Sequence, residues 1–205
     1  MNIAVFASGG GSNFAALITE KLRRDLTYTP RLLVSNNSQC GAMEIARNQA
    51  IPTLHIAPSH YSTPEAYAHA LLRELENTGI ECIVLAGYMK RIPEPVIAAY
   101  PQRILNIHPS LLPSFGGKGM YGGRIHEAVI SRGVKITGIT IHFVTSDYDE
   151  GPIIRQEPVF VEDTDTVQSL AQRVLAKEHA IYWKAVEDVA QEQLVVENGR
   201  VYRHE

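Results

Sequence analysis

Two polar side chains stand two residues apart at the end of an apolar run, Asn106 and His108 in Ile104-Leu105-Asn106-Ile107-His108-Pro109. In a strand they share one side while Leu105 and Ile107 take the other, because side chains alternate. One of the pair titrates near neutral pH, which suits proton transfer. A core histidine satisfied by hydrogen bonds is the plainer alternative, but a strand's carboxyl end is where an open parallel sheet puts its chemistry. His142 stands near the end of a second run, Ile136 to Val144, and Asp147, Asp149 and Glu150 follow before Gly151-Pro152. A carboxylate beside a histidine favours its charged form and can take a proton from it. A solvated acidic turn is the plainer reading for at least two of these acids. A His/Asp/Glu metal site is discounted, because the spacing fits no common zinc pattern.

Two further features point to ligands. Ser8-Gly9-Gly10-Gly11-Ser12-Asn13 joins the first strand to the first helix, where glycines let backbone amides face an anion. No Gly-Lys-Ser/Thr follows, Phe14 replaces the third glycine of the dinucleotide fingerprint, and Ser35-Asn36-Asn37 offers no acid to a ribose. A single phosphate of a mononucleotide-like ligand fits this turn better than a dinucleotide, and an ordinary tight turn is the plainer alternative. In the longest helix, Glu178 falls on the apolar stripe of Leu170, Val174, Ile181, Ala185 and Val189. A carboxylate there needs a partner: a structural cation, or the amine or hydroxyls of a ligand. His179 beside it points elsewhere and reads as a surface residue. The segment Ser114 to Gly123 is too glycine-rich for a core and reads as a flap over a site, or as a long connection, with Lys118 able to meet a phosphate or carboxylate.

The elements that must position these residues alternate. Strands are predicted at Ile3–Ala7, Pro30–Ser35, Thr53–Ile56, Cys82–Ala86 and Ile104–His108. Helices are predicted at Asn13–Leu22, Gly41–Ala50, Thr63-Pro64-Glu65 to Asn77, and Pro93–Tyr100. Apolar strands alternating with helices predict an α/β fold, a Rossmann-like, mostly parallel sheet with helices on both faces. The second half adds a loop from Pro109 to Gly123, a helix over Arg124–Arg132, strands at Ile136–Val144 and Ile153–Phe160, and a helix over Thr166–Ala190. The tail, Leu194 to Tyr202, reads as a hairpin turning at Asn198-Gly199. These are antiparallel additions to the C-terminal half.

The chain of 205 residues has 45% hydrophobic and 20% charged residues and a net charge of -3, which excludes a disordered chain, a collagen-like repeat and a disulfide-rich scaffold. Nothing in that balance advertises nucleic acid or an anionic membrane. No apolar run reaches the length of a membrane span, and Met1 to Ala7 lacks a basic leader. Cys40 and Cys82 read as reduced core thiols. The expected compartment is the cytoplasm.

Together these segments resemble the phosphoribosylglycinamide formyltransferase (glycinamide ribonucleotide transformylase) family of folate-dependent formyltransferases, over almost the whole chain. The motifs are Ser8-Gly9-Gly10-Gly11-Ser12-Asn13, Leu85-Ala86-Gly87-Tyr88-Met89, Asn106-Ile107-His108-Pro109-Ser110-Leu111-Leu112-Pro113, His142-Phe143-Val144 with Asp149 and Gly151-Pro152, and Glu178-His179-Ala180-Ile181-Tyr182. The resemblance implies the formyltransferase fold and transfer of a formyl group from 10-formyltetrahydrofolate, as co-substrate, to the amine of glycinamide ribonucleotide. It implies that Asn106, His108 and Asp149 are catalytic. Asn106 and a protonated His108 would stabilise the oxyanion, His108 would donate a proton toward the leaving nitrogen, and Asp149 would keep His108 protonated and relay the amine's proton. Gly11, Ser12 and Asn13 would hold the phosphate and Glu178 the ribose hydroxyls. Met89, Lys90, Arg91, Ile92 and Asn106 would bind the folate, His142 would support the site from behind, and no metal is called for. A cis bond is implied before Pro113. The family's folate-reaching arginine is not carried over, because Thr63-Pro64-Glu65 stands in its place, and Lys90-Arg91-Ile92 leaves open which base faces the folate.

Residues 1–205 are expected to form one formyltransferase domain: a nucleotide-binding half over 1–108, a folate-binding and catalytic half over 109–190, and the tail hairpin over 191–205. A formyltetrahydrofolate deformylase would share the trio but carry an extra N-terminal regulatory domain. A methionyl-tRNA formyltransferase would need a C-terminal domain and basic surface, which length and charge oppose. A non-catalytic nucleotide-phosphate-binding module would leave the trio unexplained. The expected partners are the two small-molecule substrates, with no nucleic acid and no membrane, for a monomer or homodimer.

Overall fold

The computed structural model describes residues 1–204. Strand and helix alternate through β1 (Asn2–Phe6), α1 (Ser12–Arg23), β2 (Thr29–Ser35), α2 (Gly41–Asn48), β3 (Thr53–His55), α3 (Pro64–Asn77), β4 (Cys82–Leu85), α4 (Glu94–Ala99) and β5 (Ile104–His108). A single 3-10 turn, Pro58–His60, precedes α3. The chain continues through α5 (Gly123–Ser131), β6 (Ile136–Phe143), β7 (Ile153–Phe160), α6 (Val167–Ala190), β8 (Leu194–Glu197) and β9 (Arg200–Arg203). Seven strands form one sheet in the order β3-β2-β1-β4-β5-β6-β7, and β8 and β9 pair separately. Strands β1 to β5 run parallel, β6 runs antiparallel to β5, and β7 runs antiparallel to β6. The predicted α/β fold with antiparallel additions is the one observed.

Local chemistry starts and stops these elements. Thr63 caps α3 by accepting the Ala66 amide at 3.1 Å, and Pro64 follows in the first turn, where its missing N–H costs nothing. Thr166 and Ser169 cap α6 reciprocally. Helix α2 ends two residues short of the expectation, with Ala50 in the left-handed region. Asn198 and Gly199 both take positive φ, as a tight hairpin turn requires.

The sheet is buried on both faces. Ile3, Val5, Leu105 and Ile107 pack with α1, α2, α5 and α6, while Ala4, Phe6 and Ile104 pack with α3 and α4. The Tyr182 hydroxyl of α6 donates to the Leu85 carbonyl at 2.8 Å, and the Leu105 carbonyl lies 3.2 Å from it. Helix α6 is thereby fastened across the ends of β4 and β5, one turn beyond Glu178. Asp188, buried near the end of α6, accepts from Arg155 Nε at 3.0 Å and from Arg203 Nη2 at 2.8 Å, tying the hairpin to β7. Both cysteines are free and buried, and burial pushes the Cys82 thiol up to about 12. Among the described residues, no helix is long and apolar enough to cross a membrane.

Gly138 sits where β6, β7 and the loop after β5 converge. A Cβ there would lie 2.1 Å from the Glu157 carbonyl oxygen and 2.7 Å from Leu111 Cδ2. Relief requires β7 to move, since one of the two obstacles is backbone. Gly138→Ala is therefore expected to lower unfolding stability by about 2 kcal/mol or more, at the upper end of overpacking costs. Urea denaturation measures this, and an unchanged midpoint would refute the packing described.

Candidate active site

The register of the sheet decides what Asn106 meets. Asn106 of β5 pairs directly with His142 of β6, and His108 pairs with Thr140. The Asn106 Nδ2 and His142 Nε2 atoms lie 3.1 Å apart, and His142 Nδ1 lies 2.8 Å from the Phe143 carbonyl. A carbonyl only accepts, so Nδ1 carries the proton, and Nε2 accepts from the Asn106 amide. Burial lowers the His142 pKa, outweighing the Phe143 carbonyl and Asp149, which raise it. The ring is thereby kept neutral, the form that can accept from Asn106.

Asp149 approaches from the β6–β7 loop. Its Oδ2 is 3.6 Å from His108 Nδ1, its Oδ1 is 3.8 Å from His142 Nε2, and its backbone has φ 58. Asp147 and Glu150 are exposed, so the plainer reading of a solvated turn applies to those two. Gly151 lets the loop close, because a Cβ there would fall 1.7 Å from the Phe143 carbonyl oxygen. His108 Nε2 lies 2.9 Å from the Phe115 carbonyl.

Asn106, His108, His142 and Asp149 line a cavity of about 490 Å3, together with Asn13, Met89, Lys90, Arg91, Ile92 and Glu178. In this lining Asn13 Nδ2 donates to Glu178 Oε2 at 2.6 Å. Burial raises Glu178 to about 7, against the lowering effect of that hydrogen bond. Asn13 Oδ1 is buried with no hydrogen-bond partner among the described residues. Gly11 and Ser12 lie outside the cavity lining, at the start of α1. Gly11 has φ 79, and a Cβ on it would lie 2.7 Å from Ala42 Cα, so both conformation and space demand glycine. No side chain caps α1 and no acid occupies its first turn, which leaves its amide end open to an anion.

Arg91 is engaged elsewhere on the rim. It donates to the Ser146 carbonyl at 2.9 Å, pairs with Glu94 at 3.3 Å, and lies 5.8 Å from the Tyr148 ring centroid. Lys90 is exposed with no hydrogen bond or ion pair among the described residues. His179 is half-buried rather than on the surface, and burial lowers its pKa, while Lys177 on the other side of Glu178 is exposed. Lys118 is exposed, and the peptide bond before Pro113 is cis.

Two site residues escaped the sequence reading. His126 of α5 is buried in the cavity wall with Nδ1 unpartnered among the described residues, and burial, then the nearby His108, lowers its pKa. The available signal was a histidine on the apolar stripe of Ile125 and Val129, directly after the glycine-rich loop. Ser8 links three strand ends: its hydroxyl donates to Asn36 Oδ1 at 2.5 Å and accepts from the Met89 amide at 2.8 Å.

Residues 1–186 match the family described as formyl transferase. The chain is 43% identical over 194 residues to a chloroplastic phosphoribosylglycinamide formyltransferase of Vigna unguiculata, covering 94% of this chain and 62% of that protein's length. It is 38% identical to the phosphoribosylglycinamide formyltransferase of Bacillus subtilis (strain 168), over 87% of this chain and 89% of the relative. The crystal structure of glycinamide ribonucleotide transformylase 1 from Symbiobacterium toebii superposes with a TM-score of 0.93 at 38% identity, covering 100% of this chain and 94% of that one.

The Glu178 proton gives a pH test. The folded state holds it more tightly than an unfolded chain does, so its stabilising effect is complete below the unfolded carboxyl range and is lost as pH rises through about 7. Glu178→Gln mimics the protonated form and keeps an acceptor for Asn13. It is expected to be more stable than the parent at pH 8, with the gap closing toward pH 5. Urea midpoints at both pH values measure this, and a pH-independent difference would contradict the burial described.

Proposed function

The chain belongs to the formyl transferase family, and we propose that it transfers the formyl group of 10-formyltetrahydrofolate to the amine of glycinamide ribonucleotide. The products are formylglycinamide ribonucleotide and tetrahydrofolate, in de novo purine synthesis. One observation carries the proposal: His108 and Asp149 stand 3.6 Å apart in a cavity that Asn106 and the buried Asn13–Glu178 pair also line.

The chemistry follows from the residues. The amine nitrogen bonds to the formyl carbon while the bond from that carbon to the folate nitrogen breaks. One proton leaves the amine and one arrives at the leaving nitrogen, so the protein ends as it began. One Asn106 amide hydrogen is engaged by His142, and the other is available to the formyl oxygen as negative charge develops. Asp149 takes the amine's proton through water, His108 supplies one to the leaving nitrogen, and the proton on Asp149 then passes to His108 Nδ1, which restores both groups.

Binding follows the same logic. The uncapped start of α1, through the backbone of Gly11, Ser12 and Asn13, suits a phosphate. The Asn13 side chain has turned its N–H to Glu178, so its Oδ1 and the Glu178 carboxyl suit hydroxyl donors such as those of a ribose. Met89 and Ile92 supply apolar wall for a flat heterocycle. With Arg91 held by Ser146 and Glu94, Lys90 is the base available to the folate's carboxylates.

Turnover of 10-formyltetrahydrofolate by the purified protein is expected only when glycinamide ribonucleotide is present. Equal turnover without the amine would replace transfer with hydrolysis. His108→Ala is expected to cut kcat by roughly a thousandfold while leaving ribonucleotide affinity nearly unchanged, because the residue acts on the proton and not on the phosphate. A loss of only a few-fold would overturn its role.

A further inference from the structure

His108 uses Nε2 to meet the carbonyl oxygen of Phe115 at 2.9 Å. A carbonyl only accepts, so Nε2 carries a hydrogen whether the ring is charged or neutral. The nitrogen left to gain and lose a proton is Nδ1, which faces Asp149 Oδ2 at 3.6 Å. That same oxygen accepts the backbone N–H of Gly117 at 2.9 Å. Two residues of one loop segment thus grip both members of the pair.

The segment is built to present those groups. Phe115 has φ 56, a left-handed conformation that is unfavourable for a non-glycine residue. Several contacts hold it there. The Ser110 hydroxyl donates to the Ser114 carbonyl at 2.6 Å, and the Ser114 amide donates to the Leu111 carbonyl at 3.0 Å. The guanidinium of Arg132, which caps the end of α5, lies 5.1 Å from the centroid of the Phe115 ring. Gly116 fits between Leu112 and Asp149, where a Cβ would come within 2.5 Å of Leu112 Cδ2 and 3.4 Å of Asp149 Cβ.

We propose that Phe115 and Gly117 are positioning residues for the proton-transferring pair. The Phe115 carbonyl fixes the His108 tautomer that leaves Nδ1 to handle the proton, and the Gly117 amide holds the Asp149 carboxylate in front of it. The role in turnover rests on the formyl-transfer reading; the tautomer does not.

Nitrogen NMR of the protein carrying labelled histidine, with His108→Gln to assign the signal, tests the tautomer directly. Neutral His108 is expected to show a protonated Nε2 and a bare Nδ1; the reverse tautomer or an even mixture would overturn the proposal. Phe115→Pro cannot adopt a positive φ and moves the carbonyl, whereas Phe115→Gly keeps the conformation accessible and loses only the ring. Phe115→Pro is expected to lose about twentyfold in kcat, with KM for both substrates within about threefold, and to lose the Nε2–H signal. Phe115→Gly is expected to keep that signal and to exceed Phe115→Pro in kcat by at least about fivefold. Equal losses in the two variants would assign the effect to the ring and refute the proposal. If Phe115→Pro fails to fold, the parent spectrum and the Phe115→Gly spectrum decide. A protein that lacks formyl transfer yet shows the Nε2–H tautomer would overturn the reaction assigned above and leave the tautomer standing.

Discussion

The antiparallel pairing of β5 with β6 holds the site together. Up to β5 every strand of the sheet runs the same way and the crossovers are helical. The reversal at β6 puts His142 directly opposite Asn106, and the chain leaves β6 into the loop that brings Asp149 back to His108. A slip of one residue would turn His142 to the other face, because side chains alternate along a strand. The amide would lose its acceptor and the carboxylate would lose its place together. Gly138 and Gly151 are the space that this arrangement requires, one under the loop after β5 and one at the turn of the β6–β7 loop.

Burial then sorts the titratable groups. Glu178, His126 and His142 lie in or against the cavity wall, and for each the leading influence is desolvation, which favours the neutral form. Neutrality is what these positions use. A charged imidazolium at His142 would have no lone pair for Asn106, and a second cation at His126 would oppose charge on His108. The cavity therefore brings three ionisable side chains to its walls around the close contact of His108 with Asp149.

Much of this was legible in the chain because it follows local rules. Alternation placed Asn106 and His108 on one side of a strand end. Thr63-Pro64 and Asn198-Gly199 marked their boundaries through capping and turn chemistry. Glu178 stood out because a carboxylate on an apolar stripe contradicts the helix's own pattern. What stayed hidden depends on residues far apart in sequence. Ser8 looks like part of a glycine turn until Asn36 and Met89 are brought to it. Arg91 and Lys90 are indistinguishable as neighbours, and only the β6–β7 loop engages one of them. His126 reads as packing between Ile125 and Val129, and the glycine-rich loop reads as a flap until its first residues are found hydrogen-bonded to His108 and Asp149.

The left-handed backbone at Asp149 narrows what this position can hold. Apart from glycine, asparagine and aspartate tolerate such a φ best, because their short polar side chains can bond locally. Asparagine and glycine carry no charge. Steric and chemical filters, acting independently, therefore select the same residue. Glutamate, the usual conservative exchange for aspartate, meets the first obstacle in its main chain before the reach of its longer carboxylate comes into question. Asparagine becomes the replacement that subtracts the charge while leaving the loop's path intact, so at this one position electrostatics and architecture are separable by a single atom.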